Sequence, residues 1–491
     1  MSLLGYAYLI DRFRLPVLQS GPGARLSTAV NRRMDTENGL LFPTSVALED
    51  SPLGHLEFAV RHEGLDLPVI AAAFEQIARD DIIVRLRAKP NGESMRRIAY
   101  LWEWLHECPL DAGVTVSARY VELFSSDRYL TAAHPRREPR YRMLDNALGN
   151  RRFCPVVSRA ADPGAGFLPA LLARLGTVTT DAHDDDGYAR AVQYLYLSET
   201  RGSFAIEREK PSASKEARFV QLLNKVSERA EISEERLVEI QNVAVRDVYS
   251  QEASYRMQQN WLERHTGRIS FFPHPVEGLR ETLAGWEAFV NERERGIDPL
   301  IKAACGAFGF VYLHPFMDGN GRLHRFLIHH VLAHSGVLPA DLIVPVSAVI
   351  MQHIPEYHAV LTGFSKPATE LWDYRRHDDG PQVLQHPGPA PYRYFNADRE
   401  VRFLAKMLQI AIEEEIPREL AWLRGYDRAF AQIDTEFDLP KTDIARLVRM
   451  IQGNDGQLSK KKRKTFERLP DSVIERVEAI VSQNFSESAR S

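Results

Sequence analysis

Several of the commoner readings are closed off by what this chain lacks. It has three cysteines in 491 residues, Cys108, Cys154 and Cys305, too far apart to form a metal or redox spacing. A reducing compartment, the cytoplasm, is the simplest expectation. No apolar run reaches the roughly 18 residues that a membrane crossing takes, so no membrane association is expected. Met1 to Leu9 is apolar but short, lacks a basic start and runs into Asp11-Arg12, so no signal peptide is expected. There is no lysine-bearing phosphate loop, no His-Glu-x-x-His and no paired Cys-x-x-Cys, which removes the usual nucleotide and zinc classes. The net charge is only −4, so no general attraction to nucleic acid is expected. The single basic cluster, Lys460-Lys461-Lys462-Arg463-Lys464, reads as a solvated helix start. No internal repeat or low-complexity tract stands out. What remains is ordinary globular composition, 44% hydrophobic and 26% charged, in a chain long enough for roughly two to four domains.

The informative stretch is His314 to Arg325, H-P-F-M-D-G-N-G-R-L-H-R. Asp318-Gly319-Asn320-Gly321 is a run of turn formers, and the apolar periodic stretch Leu323 to Leu332 follows at once. A turn opening into a helix leaves the first N–H groups unpaired at the positive end of the helix dipole, which suits an anion. Gly319 and Gly321 let a phosphate approach the backbone. Arg322 and Arg325 are three apart and share a helix face, where they repel unless an anion lies between them. Asp318 would face that same anion, a conflict that a hard cation such as Mg²⁺ resolves with one carboxylate plus phosphate oxygens. His314, on the loop before the helix, has an ordinary pKa, about 6.5, that suits a general base.

These residues match, position for position, the Fic signature H-x-F-x-D/E-G-N-G-R-x-x-R: His314, Phe316, Asp318, Gly319, Asn320, Gly321, Arg322 and Arg325. The chain resembles the Fic family over residues 188–374. The resemblance implies a mainly α fold, a Fic-type helical core with a small β-hairpin flap, flanked by accessory regions at both ends. It implies transfer of AMP from ATP to a Ser, Thr or Tyr hydroxyl of a target protein. His314 would be the base, Asp318 would hold Mg²⁺, Gly319, Asn320 and Gly321 would cradle phosphates, and Arg322 and Arg325 would bind the β- and γ-phosphates. Phe316 reads as a core anchor for the loop. By the same resemblance Gly267, Arg268, Ile269 and Ser270 fall on the nucleotide side of the flap, where a target's extended segment would pair with the main chain. Tyr357 falls where the family packs a tyrosine on the adenine. His358 replaces the second tyrosine of that stretch, and Ser365 falls where asparagine is frequent.

Ser203 and Glu207, four apart, resemble the family's inhibitory Ser/Thr-x-x-x-Glu-Gly/Asn helix, here expected at residues 189–209, with Arg208 in place of Gly or Asn. In the family that glutamate pairs with the second motif arginine, here Arg325. At about 4 Å and an effective dielectric near 20 such a pair attracts by up to roughly 4 kcal/mol before desolvation. Phosphate transfer from a flipped nucleotide, removal of AMP with Glu207 orienting water, and a partner-binding regulator with a silent site stay open. Relatives with the flipped pose carry lysine where this chain has Gly321.

The remainder divides on composition. Residues 1–165 form an N-terminal accessory region, 180–378 the Fic domain and 392–491 a C-terminal helical region. The first ends at Ala161-Asp162-Pro163-Gly164-Ala165-Gly166, and a second linker runs over residues 378–391. Ile82-Ile83-Val84 reads as a strand, and Ser94 to Glu107 as a helix in which Trp102 and Trp104 serve a core or an interface. Asp184-Asp185-Asp186-Gly187 lacks calcium-loop spacing and reads as a turn. His330 and His334 are four apart but lack a third ligand nearby, so no metal is expected there. A homodimer is left open.

Overall fold

The computed structural model describes the chain except residues 1, 20, 22, 38, 181–184, 229, 246–249, 264–265, 339–341, 378–379 and 489–491. Asp184, His265 and Asp378-Asp379 therefore lie outside the described residues. The protein is mainly α, with small sheets. The expected N-terminal helix is present as Glu93–His106, which buries Met95, Ile98, Ala99, Leu101 and Trp102 on one face. Ile82-Ile83-Val84 is not a strand but part of helix Arg79–Ala88. Asp80 and Asp81 in its first turn and Arg85 and Arg87 in its last complement the helix dipole. Ile82, Ile83 and Leu86 are buried while Val84 is 63% exposed, a helical rather than an alternating pattern.

The chain folds as two compact units. One comprises Met1–Phe167, Ser203–Asp341 and Ile350–Lys406, and the other Leu168–Gly202, Leu342–Val349 and Met407–Ser491. The second unit contains a bundle of helices Ile416–Glu436, Lys441–Gln452 and Asp471–Ser488 around Ile433, Leu447, Val448, Val477 and Ile480. Its basic cluster stands in solvent at Lys460, Lys461, Lys462 and Lys464, whereas Arg463 pins the carbonyls of Phe466 and Leu469.

The first unit holds the His314–Arg325 stretch. Part of the expected second linker is structured there: Gly380–Gln385 pairs antiparallel with Asp373–His377. Tyr374 and Val383 of this hairpin pack against Ile269, Phe272 and Trp372, so its apolar residues have a core to join that composition alone does not reveal.

The element that fixes the motif is helix Pro299–Leu313. Asp298 caps it by accepting the N–H groups of Leu300 (2.9 Å) and Ile301 (3.2 Å), with Pro299 in the first turn. Nearly every side chain along it is buried. Helix Leu279–Asn291 packs on one side and the motif helix Asn320–His334 on another. Gly309 is needed for close approach, since a Cβ there would lie 2.5 Å from the Phe153 ring. Trp286 is fully buried and donates its indole N–H to the Gly306 carbonyl at 2.7 Å, tying the two helices together. Trp286→Ala is expected to destabilise the first unit by about 3–5 kcal/mol, read as a lowered urea midpoint.

Candidate functional site

Helix Pro299–Leu313 ends on His314, whose backbone is left-handed (φ 53°, ψ 60°). That conformation costs a non-glycine residue on the order of 1–2 kcal/mol and turns the chain sharply away from the helix axis. The His314 Nδ1 lies 3.2 Å from the Val311 carbonyl. A carbonyl only accepts, so Nδ1 carries the proton and Nε2 is left with its lone pair. Burial pushes the imidazole down to about 4, with Arg256 adding to the shift and the Val311 carbonyl and Glu207 opposing it. At neutral pH it is therefore an uncharged proton acceptor.

The motif loop closes on itself. Asn320 accepts the Phe316 N–H (3.1 Å) and donates to the Phe316 carbonyl (2.7 Å). The amide expected to touch phosphate is thus committed to shaping the loop, and Phe316 is fully buried beneath it. Gly319 precedes the motif helix at φ 89° and provides no side-chain cap, leaving the first turn to main-chain N–H groups. Asp318 is half-exposed, accepts the Gly319 N–H at 2.6 Å and lies 3.4 Å from Arg322. Among the described residues no group of three His, Cys, Asp or Glu side chains is arranged to hold a metal. A single open carboxylate fits a divalent ion that takes its remaining ligands from phosphates and water.

Both motif arginines are buried, and each meets a glutamate from one turn. Arg325, 1% exposed, donates to the Ser203 hydroxyl (3.0 Å), the Ser203 carbonyl (2.8 Å) and the Glu207 carboxylate (2.8 Å). Burial works against the Glu207 charge, but Arg325 and then Arg322 outweigh it and hold the carboxyl below its usual range. A Cβ on Gly321 would lie 2.4 Å from Glu207 Oε1, so the carboxylate rests directly over that glycine. Arg322 pairs with Glu209, a residue the sequence did not single out, and Glu209 is also held by Lys215 at 2.7 Å. Phe204 is fully buried with the Arg322 and Lys215 charges over its ring at 5.6 and 5.1 Å.

The turn bearing both glutamates has a specific geometry. Helix Asp185–Ile206 ends with Arg208 N–H on the Ala205 carbonyl (2.9 Å) and Glu209 N–H on the Phe204 carbonyl (3.0 Å). This is a Schellman termination, whose left-handed position normally takes glycine or asparagine. Arg208 occupies it at φ 57°. The departure that looked like a broken motif is thus a side chain in a strained position with the turn intact. Arg208 in a left-handed slot, followed by a second glutamate, is the signal from which Glu209 was findable.

Next to His314 lies a cavity of about 740 Å³. It is lined by Arg268, Ile269 and Ser270 of the hairpin, by Tyr312, and by His358, Thr362 and Ser365 of helix Ile354–Glu370. The hairpin pairs Leu262–Glu263 with Ile269–Phe271. Gly267 turns it at φ 73° and does not line the cavity. The expectation for Tyr357 is corrected. Its ring packs among Phe308, His324 and Phe403, it is hydrogen-bonded to Arg325, and it stays off the cavity wall. One helical step of 100° separates it from His358, so His358, Leu361, Thr362 and Ser365 form the cavity face. His274 is structural, fully buried and bonded to Thr282 at 2.9 Å. His334 Nε2 accepts from Arg293 at 3.1 Å.

Residues 231–332 match the Fic/DOC family. Over 92 residues the chain is 36% identical to protein adenylyltransferase fic-1 of Caenorhabditis briggsae and 35% identical to that of Caenorhabditis elegans. In both cases the match spans 18% of this chain and only 17% of the relative. Among solved structures, a Fic family protein from Desulfovibrio desulfuricans G20 overlaps with a TM-score of 0.37 at 15% identity, covering 67% of this chain and 90% of that one. A Fic domain containing signaling protein from Bacteroides thetaiotaomicron VPI-5482 gives 0.38 at 17%, covering 51% and 95%.

Because the left-handed position suits glycine, Arg208→Gly is expected to stabilise the turn by about 1 kcal/mol. The measurement is the thermal midpoint, which should rise by a degree or more, with Glu207→Gly as a reference that moves it the other way.

Proposed function

We propose that this chain, whose residues 231–332 carry a Fic/DOC-family domain, is a protein adenylyltransferase held inactive by its own turn at residues 207–209. The observation that carries this reading is the pair of carboxylates on Arg325 and Arg322, with Glu207 lying over Gly321. Two buried arginines whose anions come from a peripheral turn form a polyphosphate site with its occupant supplied in cis. The fic-1 relatives, matched over 92 residues, bear the name adenylyltransferase, which supports AMP as the transferred group.

In the proposed reaction the target's hydroxyl oxygen attacks the α-phosphorus of ATP. His314 Nε2 takes the hydroxyl proton, a role worth about 10²–10⁴ in rate. The bond to the bridging oxygen breaks and pyrophosphate leaves with the electron pair. Arg322 and Arg325 bear the charge that develops on it, as do the N–H groups of the first turn after Gly319. A divalent ion such as Mg²⁺, held by Asp318 and phosphate oxygens, would neutralise part of that charge. The base pairs with the cavity between hairpin and helix Ile354–Glu370, where His358 and Ser365 replace the aromatic and amide contacts of the family. The target is a protein segment presented in extended form to the hairpin. Glycine rather than lysine at position 321 disfavours the phosphate-transfer pose.

The test is labelled ATP. Wild type, Glu207→Gly and His314→Ala are incubated with α-labelled and, separately, γ-labelled ATP and Mg²⁺, with and without cell lysate. Protein label from α-ATP alone, higher by at least about tenfold in Glu207→Gly (the factor that 1.4 kcal/mol supplies) and lost in His314→Ala, is expected. Label from γ-ATP alone would mean phosphate transfer. No label from either would leave AMP removal or a silent site.

Glu207 also compensates a buried cation. Glu207→Ala is expected to destabilise the first unit by about 1–3 kcal/mol, allowing for the partial exposure of the carboxylate. Millimolar inorganic pyrophosphate should restore the thermal midpoint of this variant while shifting wild type far less.

A further inference from the structure

Arg256 lies eleven residues before Gly267 of the hairpin and is 4% exposed. Among the described residues its side-chain hydrogen bonds all go to main-chain carbonyls. Nε donates to His314 (2.8 Å), Nη1 to Gln258 (3.0 Å), and Nη2 to His274 and Leu313 (3.4 Å for the latter). Its own backbone N–H donates to the Pro315 carbonyl at 2.8 Å. One residue thus grips three consecutive carbonyls, 313, 314 and 315, and ties them to both ends of the hairpin segment. No carboxylate bonds to it among the described residues.

The gripped segment is one that needs holding. His314 is left-handed although a β-branched-free ordinary residue there favours the right-handed side, and Pro315 follows it, which narrows the choices further. The helix that ends at Leu313 presents its last carbonyls and the negative end of its dipole at this point. A guanidinium, with its fixed fork of donors, answers both the carbonyls and the dipole, whereas an ammonium would answer only the charge.

We infer that Arg256 is a positioning residue for the transfer: by clamping the Leu313, His314 and Pro315 carbonyls it keeps the catalytic imidazole at the cavity wall. This rests on the proposed function of His314. A second consequence follows from its charge. Arg256 stands behind the imidazole and disfavours its protonation, adding to burial, so His314 stays a free base well below neutral pH. The other charged groups facing His314 are Glu207 from the turn and, across the cavity, Glu263 and Arg268 of the hairpin and His358, Lys366 and Glu370 of helix Ile354–Glu370.

Arg256→Lys keeps the charge and loses the fork, and Arg256→Met loses both. In the Glu207→Gly background, kcat for AMP transfer is expected to fall about 100-fold in both, with KM for ATP changed by no more than about threefold. The acid limb of the rate should move up by about one pH unit in Arg256→Met and stay in place in Arg256→Lys. A readout independent of transfer is the His314 titration in histidine-labelled protein by NMR, assigned from His314→Ala. It should shift upward in Arg256→Met and not in Arg256→Lys. If Glu207→Gly transfers no AMP, the functional reading fails while the titration still tests Arg256. A soluble Arg256→Lys with kcat within about threefold of its parent would overturn the clamp, as would an unmoved His314 titration in Arg256→Met; should the latter not fold, the Arg256→Lys kinetics decide.

Discussion

Two guanidinium groups buried at one helix start need anions, and the rest of the site follows from that need. Arg322 and Arg325 are 5% and 1% exposed, so water cannot solvate them. An uncompensated charge in such a position costs several kcal/mol, and the chain meets it with carboxylates of its own. Those carboxylates come from a single turn at a helix end. On the proposed function, a polyphosphate is the competing anion for the same two arginines.

The site is bounded by two non-glycine residues held left-handed, Arg208 on the turn that bears Glu207 and Glu209 and His314 on the motif loop. Each is kept there by hydrogen bonds to neighbouring main chain: the Schellman bonds at Arg208, and Arg256 at His314. The two differ in what surrounds them. His314 ends a helix buried nearly throughout, whereas Arg208 is exposed to solvent.

The helix Glu93–His106 and the motif were legible because they rest on local patterns: apolar spacing, and turn-forming glycines before the motif helix, where Gly319 has a positive φ. The mainly α class was what the resemblance to the Fic family implied. Four features were not legible, each for a physical reason. Ile82-Ile83-Val84 has strand-like residues, but the charges at either end of Arg79–Ala88 and the core beneath it favour a helix. The Gly380–Gln385 strand exists because a distant aromatic cluster receives it. Tyr357 versus His358 is a question of which face of one helix meets the cavity, and the motif match could not fix the rotation. Glu209 was passed over because its partner Arg322 is 113 residues away in sequence.

The most direct test of the account is the affinity for ATP–Mg²⁺, measured by calorimetry for wild type, Glu207→Gln, Glu209→Gln and the double variant. If one turn supplies both anions, each neutral substitution tightens ATP by about tenfold or more, and the double variant binds tighter than either. Equal affinity in wild type and Glu209→Gln, with the double variant no tighter than Glu207→Gln, would contradict the claim that the turn fills both arginine sites.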